Sequence, residues 1–122
     1  FAQYYRDLGE FRAPFDDLDS SVSRAGLRLK SINSRLTKCP YEAAFLNSGG
    51  TMSNAEYAAS LIPTMRSWSE TVFRTALAGR EAGEIDWIVD QFYGSYQAEV
   101  AADPEGHAMD YVHIILDIEK VS

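Results

Sequence analysis

The chain has 122 residues, enough for one domain of ordinary size with a hydrophobic core, and its hydrophobic content of 46% favours folding over disorder. Its formal net charge of −7 argues against a nucleic-acid surface, which needs clustered Lys and Arg, and against an anionic membrane. A single cysteine, Cys39, excludes an internal disulfide framework and a cysteine zinc site, and no apolar run approaches the roughly 20 residues of a membrane span.

The compartment we expect is the cytoplasm. A lone cysteine suits a reducing interior, and no charged-then-apolar leader marks the N-terminus. The first residue is Phe1 rather than Met, which suggests processing or a chain cut from a longer one.

The N-terminal third predicts a short helix, an acidic loop and a strand. Residues 7–15 suit a helix that is broken by Pro14, and one more turn over residues 21–25 stops at Gly26. Apolar and basic residues then alternate over residues 27–30, the period of a half-buried strand. Ile32 falls out of this phase, which predicts a bulge near Ser31.

The middle of the chain predicts a helix that begins at a capping box. Ser53 and Glu56 have the spacing of reciprocal cap hydrogen bonds. Pro63 predicts a kink or break near Ser60, and Gly79 is the expected end. One apolar stripe follows the helical period: Tyr57, Leu61, Ile62, Met65, Trp68, Val72 and Phe73.

A second amphipathic helix is predicted over residues 84–102 and is closed by turn residues 103–106. Its expected buried side carries Ile85, Ile88, Val89, Phe92, Tyr96 and Val100. The final strand then places Val112, Ile114, Leu116 and Ile118 on a dry face and Tyr111, His113, Ile115 and Asp117 on a mixed one.

The two strands, about 26–37 and 109–120, are predicted to pair antiparallel. The first carries Arg28, Lys30 and Arg35, and the second carries Asp117 and Glu119, so opposite charges meet across the ladder. The fold class we expect is therefore α/β, with an antiparallel strand pair and a helical insertion between the strands.

No complete active site is visible in the sequence. His107 and His113 lack a third metal ligand in any motif, Cys39 lacks a neighbouring base, and no nucleophile elbow or phosphate loop is present. The aromatic and thioether side chains fit either an ordinary helix-on-sheet core or an apolar ligand pocket. These are Tyr57, Met65, Trp68, Phe92, Tyr96 and Tyr111.

The order of elements resembles the C-terminal part of a class I, Rossmann-like methyltransferase, and more narrowly the SABATH family, the carboxyl methyltransferases of salicylic, benzoic and related acids. A glycine-led strand at residues 25–27 (AGL) and a terminal strand ending at 118–120 (IEK) carry this resemblance. Residues 65–70 (MRSWSE) match in part the family's Arg-Ala-x-x-Glu pattern, and residues 92–96 (FYGSY) match its Phe-x-x-Tyr. Residues 3–5 (QYY) stand where the family has Pro-x-Tyr, without the proline.

The resemblance implies that residues 1–122 form a single unit, the acceptor-binding C-terminal part of an S-adenosylmethionine-dependent enzyme, with a helical cap over about 41–103. It implies that Met65 and Trp68 line the ring of a small aromatic or aliphatic carboxylic acid, and that Tyr111 and His113 lie on the strand closing the pocket. S-adenosylmethionine would be held by the rest of the methyltransferase sheet, in an N-terminal part that this sequence does not contain, and no general base is implied.

Two other classes of protein stay open. The chain is also compatible with a self-sufficient α+β module that binds a small ligand or a protein without catalysis, and that completes its sheet as a homodimer. A regulatory or immunity protein with an acidic surface for a basic partner is the third interpretation.

Overall fold

The computed structural model describes residues 4–121, so Gln3, part of the matched N-terminal motif, and Phe1 lie outside the described residues. The chain divides into two compact units. The first is formed by the residues up to 37 and those from 110 on, and the second is Lys38–Met109, which contains the expected helical cap. A single functional unit over residues 1–122 stays a prediction.

Two short helices open the first unit. Helix α1, Leu8–Asp16, begins at a capping box in which Asp7 and Glu10 satisfy each other's backbone amides. It continues past Pro14, so the predicted break is wrong; proline removes one N–H, and the Asp17 N–H still closes the last turn on the Ala13 carbonyl at 3.2 Å. Helix α2, Ser21–Arg24, follows as the predicted extra turn.

Strands β1, Leu27–Thr37, and β2, Tyr111–Lys120, form a two-stranded antiparallel sheet, as predicted. The register shifts between Leu29 and Ser31, which confirms the bulge. Arg28 lies opposite Glu119, so the charge match holds at this rung of the ladder. The chain is therefore a mixed helix and strand protein with its helices α3–α5 inserted between the paired strands.

The apolar face of this sheet is only partly covered. Ile114 and Leu116 are half-buried, but Val112 is 70% exposed, its partner Leu36 57% and Ile118 42%, so the prediction of a dry face is wrong at both ends of β2. Both α1 and α2 pack against β1. Two short helices supply too little apolar surface to cover a ribbon of ten rungs.

The second unit is helical. Helix α3 is Pro40–Asn47, α4 is Asn54–Ala76 and α5 is Ala82–Ala102; α4 packs against both α3 and α5. The predicted capping box at Ser53 and Glu56 is confirmed. Helix α4 runs through Pro63 without the break expected near Ser60. Pro63 and Ala59, whose carbonyl loses its partner, are both exposed, and water can satisfy that carbonyl.

The core of the second unit lies between its helices and includes Tyr93, which the expected pattern omits. Trp68 and Phe92 were expected inside but are 52% and 47% exposed. The buried side chains are Cys39, Tyr57, Ala58, Leu61, Ile62, Met65, Val89, Tyr93 and Val100. Only the N-terminal half of the α4 stripe is therefore core. Across residues 4–121 none of the helices has the length and apolar character needed to cross a membrane.

Candidate functional site

The exposed aromatic side chains of the second unit surround a cavity of about 420 Å³, which we call the aromatic pocket. Helix α4 forms one wall, helix α5 the second, and the loop after α5 the third. The lining residues are Met65, Trp68, Ser69, Phe73, Phe92, Tyr93, Tyr96, Gly106, His107, Ala108 and Met109. Aromatic and thioether walls with few polar groups are typical of sites for small organic ligands.

Phe92 is the centre of the aromatic arrangement. Its ring centroid lies 4.7 Å from that of Phe73 and 5.0 Å from that of Tyr93, and its plane is parallel to that of Tyr96 at 6.4 Å. His107 meets Tyr96 edge-on, with centroids 6.0 Å apart and planes at 88°. Offset and edge-to-face packing of this kind fixes the rings relative to one another.

Two predicted site residues, Met65 and Trp68, are brought together at this pocket. Met65 is buried and joins the core to the pocket wall, while Trp68 presents an exposed indole face. Their spacing of three along α4 places both on one side of the helix. Their contact with the ring of an acceptor stays a prediction.

The other two predicted site residues, Tyr111 and His113, lie in the first unit on β2. Their rings stack at 5.9 Å with an angle of 15°, and His113 Nδ1 lies 3.2 Å from the Thr37 hydroxyl across the ladder. Their role in closing an acceptor pocket stays a prediction.

Sequence reasoning missed Ser69, Tyr93, His107 and Met109 as lining residues. The Ser69 hydroxyl is 2.6 Å from both the Met65 carbonyl and the Tyr93 hydroxyl. Ser69 and Tyr93 are 24 residues apart, so no local pattern reveals their contact. The turn at residues 103–106 was the available signal for His107, because it folds the following loop back over α5.

A chain of charges ties α4 to α5 beside the pocket. Arg66 contacts Glu70 at 3.0 Å and Asp90 at 2.8 Å, and Arg74 contacts Glu70 at 2.9 Å and Asp86 at 2.8 Å. Hydrogen bonds from Arg66 and Arg74 lower the pKa of Glu70 to about 2, and those from Glu70 and Asp90 raise the pKa of Arg66. The Arg66 guanidinium also lies 5.1 Å from the centroid of the Tyr93 ring.

Tyr57 is a buried phenol in the core behind the pocket. Its side chain is fully buried, and its hydroxyl has no hydrogen-bond partner among the described residues. Burial raises the pKa of Tyr57, and the nearby Cys39, Glu42 and Tyr96 add to the effect. The predicted aromatic set thus divides, with Tyr57 in the core and Trp68 at the pocket.

No metal site is formed by the described residues. Within residues 4–121 no three His, Cys, Asp or Glu side chains are grouped to hold a metal ion. The glycine that leads β1, Gly26, leaves no space for a ligand at its Cβ position, because a Cβ added there meets the chain's own Val121 carbonyl. That S-adenosylmethionine is held outside this sequence stays a prediction.

Comparisons of the chain with protein-family models, with curated proteins and with solved structures found no match.

Proposed function

We propose that this chain is the acceptor-binding part of an S-adenosylmethionine-dependent methyltransferase that methylates a small carboxylic acid, and that the aromatic pocket receives the acid. The observation that carries the proposal is the meeting of Met65 and Trp68 at one cavity with the rings of α5. The resemblance assigned these two side chains to the acceptor ring.

The element order supports the same reading. A strand, a helical insertion and an antiparallel terminal strand are the arrangement that the resemblance implies for the edge of a Rossmann-like sheet. The exposed apolar residues at Leu36 and Val112 suit a ribbon that packs against further parts of such an enzyme. Cys39, buried in the core, is suited to the reducing cytoplasm.

The pocket's chemistry fits a reaction that depends on placement. A carboxylic acid is ionised at neutral pH, so it needs no general base to become the nucleophile. Aromatic walls hold the acid's ring in one orientation, and fixed orientation alone contributes large rate factors. S-adenosylmethionine supplies an electrophilic methyl group when bound, and in this proposal it is held outside residues 4–121.

A fluorescence titration tests the proposal. The chain has two tryptophans, Trp68 at the pocket and Trp87 on α5, which does not line it, so the Trp87→Phe variant makes Trp68 the sole indole reporter. We expect benzoate to change the Trp68 emission saturably, while calorimetry shows no stoichiometric binding of S-adenosylmethionine to the same chain. Tight binding of the cofactor, or no response to benzoate and to longer aliphatic acids, would contradict the proposal.

A further inference from the structure

We propose that His107 is the specificity-determining residue of the aromatic pocket: its imidazole holds the carboxylate of the acceptor and selects the acid over neutral ligands. This inference rests on the proposed function and names the group that recognises the acid. It follows from which side chains of the pocket can still donate a proton and which can carry a positive charge.

The hydroxyl protons of Ser69 and Tyr93 are already committed. A carbonyl can only accept, so Ser69 must donate its single proton to the Met65 carbonyl at 2.6 Å. In the 2.6 Å contact between the two hydroxyls, the Tyr93 O–H is therefore the donor and the Ser69 oxygen is the acceptor. Neither hydroxyl has a proton left for a carboxylate, and both present lone pairs that repel one.

The distribution of charged side chains around the pocket also points to His107. Among the described residues that line the pocket there is no Lys, Arg, Asp or Glu, and His107 is the one side chain able to carry a positive charge. The Arg66 guanidinium, which lies 5.1 Å from the centroid of the Tyr93 ring in the pocket wall, is held by Glu70 and Asp90. An acid in the pocket thus meets one side chain that is able to carry a positive charge, His107 on the loop wall.

The position of His107 suits this role. The ring is half-buried, and Tyr96 supports it edge-on at 6.0 Å. Gly106 before it has φ +83°, which allows the sharp turn that returns the loop to the pocket. Its ring nitrogens make no hydrogen bond to a described residue, so an N–H is left for a ligand. The Tyr96 hydroxyl can also donate a hydrogen bond, but it is neutral and supplies no charge.

One consequence concerns the product. Methylation converts the carboxylate into a neutral ester, so the charge-assisted hydrogen bond to His107 is lost when the reaction is complete. The pocket then discriminates between acid and ester by the contribution of that one bond, and the ester dissociates more readily than the acid. Benzoate and methyl benzoate are therefore the matched pair of probes.

The test uses the full 122-residue chain carrying Trp87→Phe, which is titrated with benzoate, methyl benzoate and phenyltrimethylammonium at one fixed pH. We expect benzoate to bind more tightly than methyl benzoate by roughly 10- to 100-fold, the size of one charge-assisted hydrogen bond. His107→Ala should abolish this preference and leave methyl benzoate affinity within about twofold. His107→Gln, which keeps an N–H donor without charge, should retain part of it.

Three results would overturn the inference. Equal loss of benzoate and methyl benzoate in His107→Ala would show that His107 only supports the loop, and an unchanged preference would show that another group holds the acid; in both cases the proposed function stands. Tighter binding of phenyltrimethylammonium than of benzoate to the unsubstituted pocket would assign it to cations, and the proposed function would fail as well.

Discussion

Gly26 determines how the two strands of the first unit close. Its φ is +78°, a conformation that L side chains rarely adopt, and its carbonyl accepts a hydrogen bond from the Val121 N–H at 2.6 Å. A Cβ added there would lie 2.1 Å from the Val121 carbonyl oxygen, which is backbone and cannot rotate away. Glycine is therefore required by both conformation and space.

Gly26→Ala is expected to lower the free energy of unfolding by more than the roughly 1–2 kcal/mol of a left-handed conformation, because the clash adds to it. Gly94→Ala is the matched control: Gly94 lies inside α5 with nothing within 4 Å of its added Cβ. That change should be neutral or stabilise by about 0.5–1 kcal/mol. Urea denaturation measures both, and equal effects of the two variants would contradict the account of Gly26.

Removal of the hydroxyl is expected to change stability differently at the two buried tyrosines, Tyr57 and Tyr93. Within residues 4–121 the Tyr57 hydroxyl has no hydrogen-bond partner, whereas the Tyr93 hydroxyl contacts Ser69 at 2.6 Å. We expect Tyr57→Phe to leave the free energy of unfolding unchanged or to raise it, and Tyr93→Phe to lower it by about 1 kcal/mol. Thermal and chemical denaturation of the pair measure this. A larger loss in Tyr57→Phe than in Tyr93→Phe would show that the Tyr57 hydroxyl is satisfied in solution.

At the scale of elements, the contact between α4 and α5 combines an apolar core with a surface chain of charges. Glu70 lies at the middle of that chain, between Arg66 and Arg74, and its side chain is 27% exposed. Because the network is largely in contact with water, its contribution to stability is modest and falls with added salt.

The depressed pKa of Glu70 predicts a defined pH dependence. A carboxyl whose pKa falls on folding contributes stability that is fully present above its unfolded pKa and is lost as pH falls through the folded one. For Glu70 the window runs from about 4.5 down to about 2. The unfolding free energy of the unsubstituted protein should therefore exceed that of Glu70→Gln above this window, and the difference should shrink across it. A difference that stays constant with pH would exclude the ion pairs as its source.

The elements themselves were largely predictable from local chemistry. The box at Ser53, the stop at Gly26 and the bulge near Ser31 each depend on residues within a few positions. The continuation of α1 through Pro14 and of α4 through Pro63 was not predicted. The sequence does not show whether the backbone carbonyl that loses its hydrogen-bond partner to proline is exposed to water.

At the scale of the whole molecule, the pattern could not separate core from pocket. Tyr57 and Trp68 share one periodic stripe on α4, yet Tyr57 is fully buried and Trp68 is half exposed. The difference depends on how far the neighbouring helices cover α4, which is a property of packing. For the same reason the contact between the Ser69 and Tyr93 hydroxyls could not be predicted from the sequence. The prediction that Met65 and Trp68 line one pocket came from the family resemblance.

A small acid is proposed to bind in the aromatic pocket of the second unit, and methionine methyl groups can report on it. The chain has three methionines, of which Met65 and Met109 line the pocket and Met52 does not. Titration of ¹³C-methyl-methionine-labelled protein with benzoate, followed by NMR, therefore contains its own control. We expect saturable shifts of the Met65 and Met109 methyl signals with Met52 unchanged. No shift at the two pocket methionines at saturating benzoate, or a shift confined to Met52, would exclude binding of the acid in this pocket.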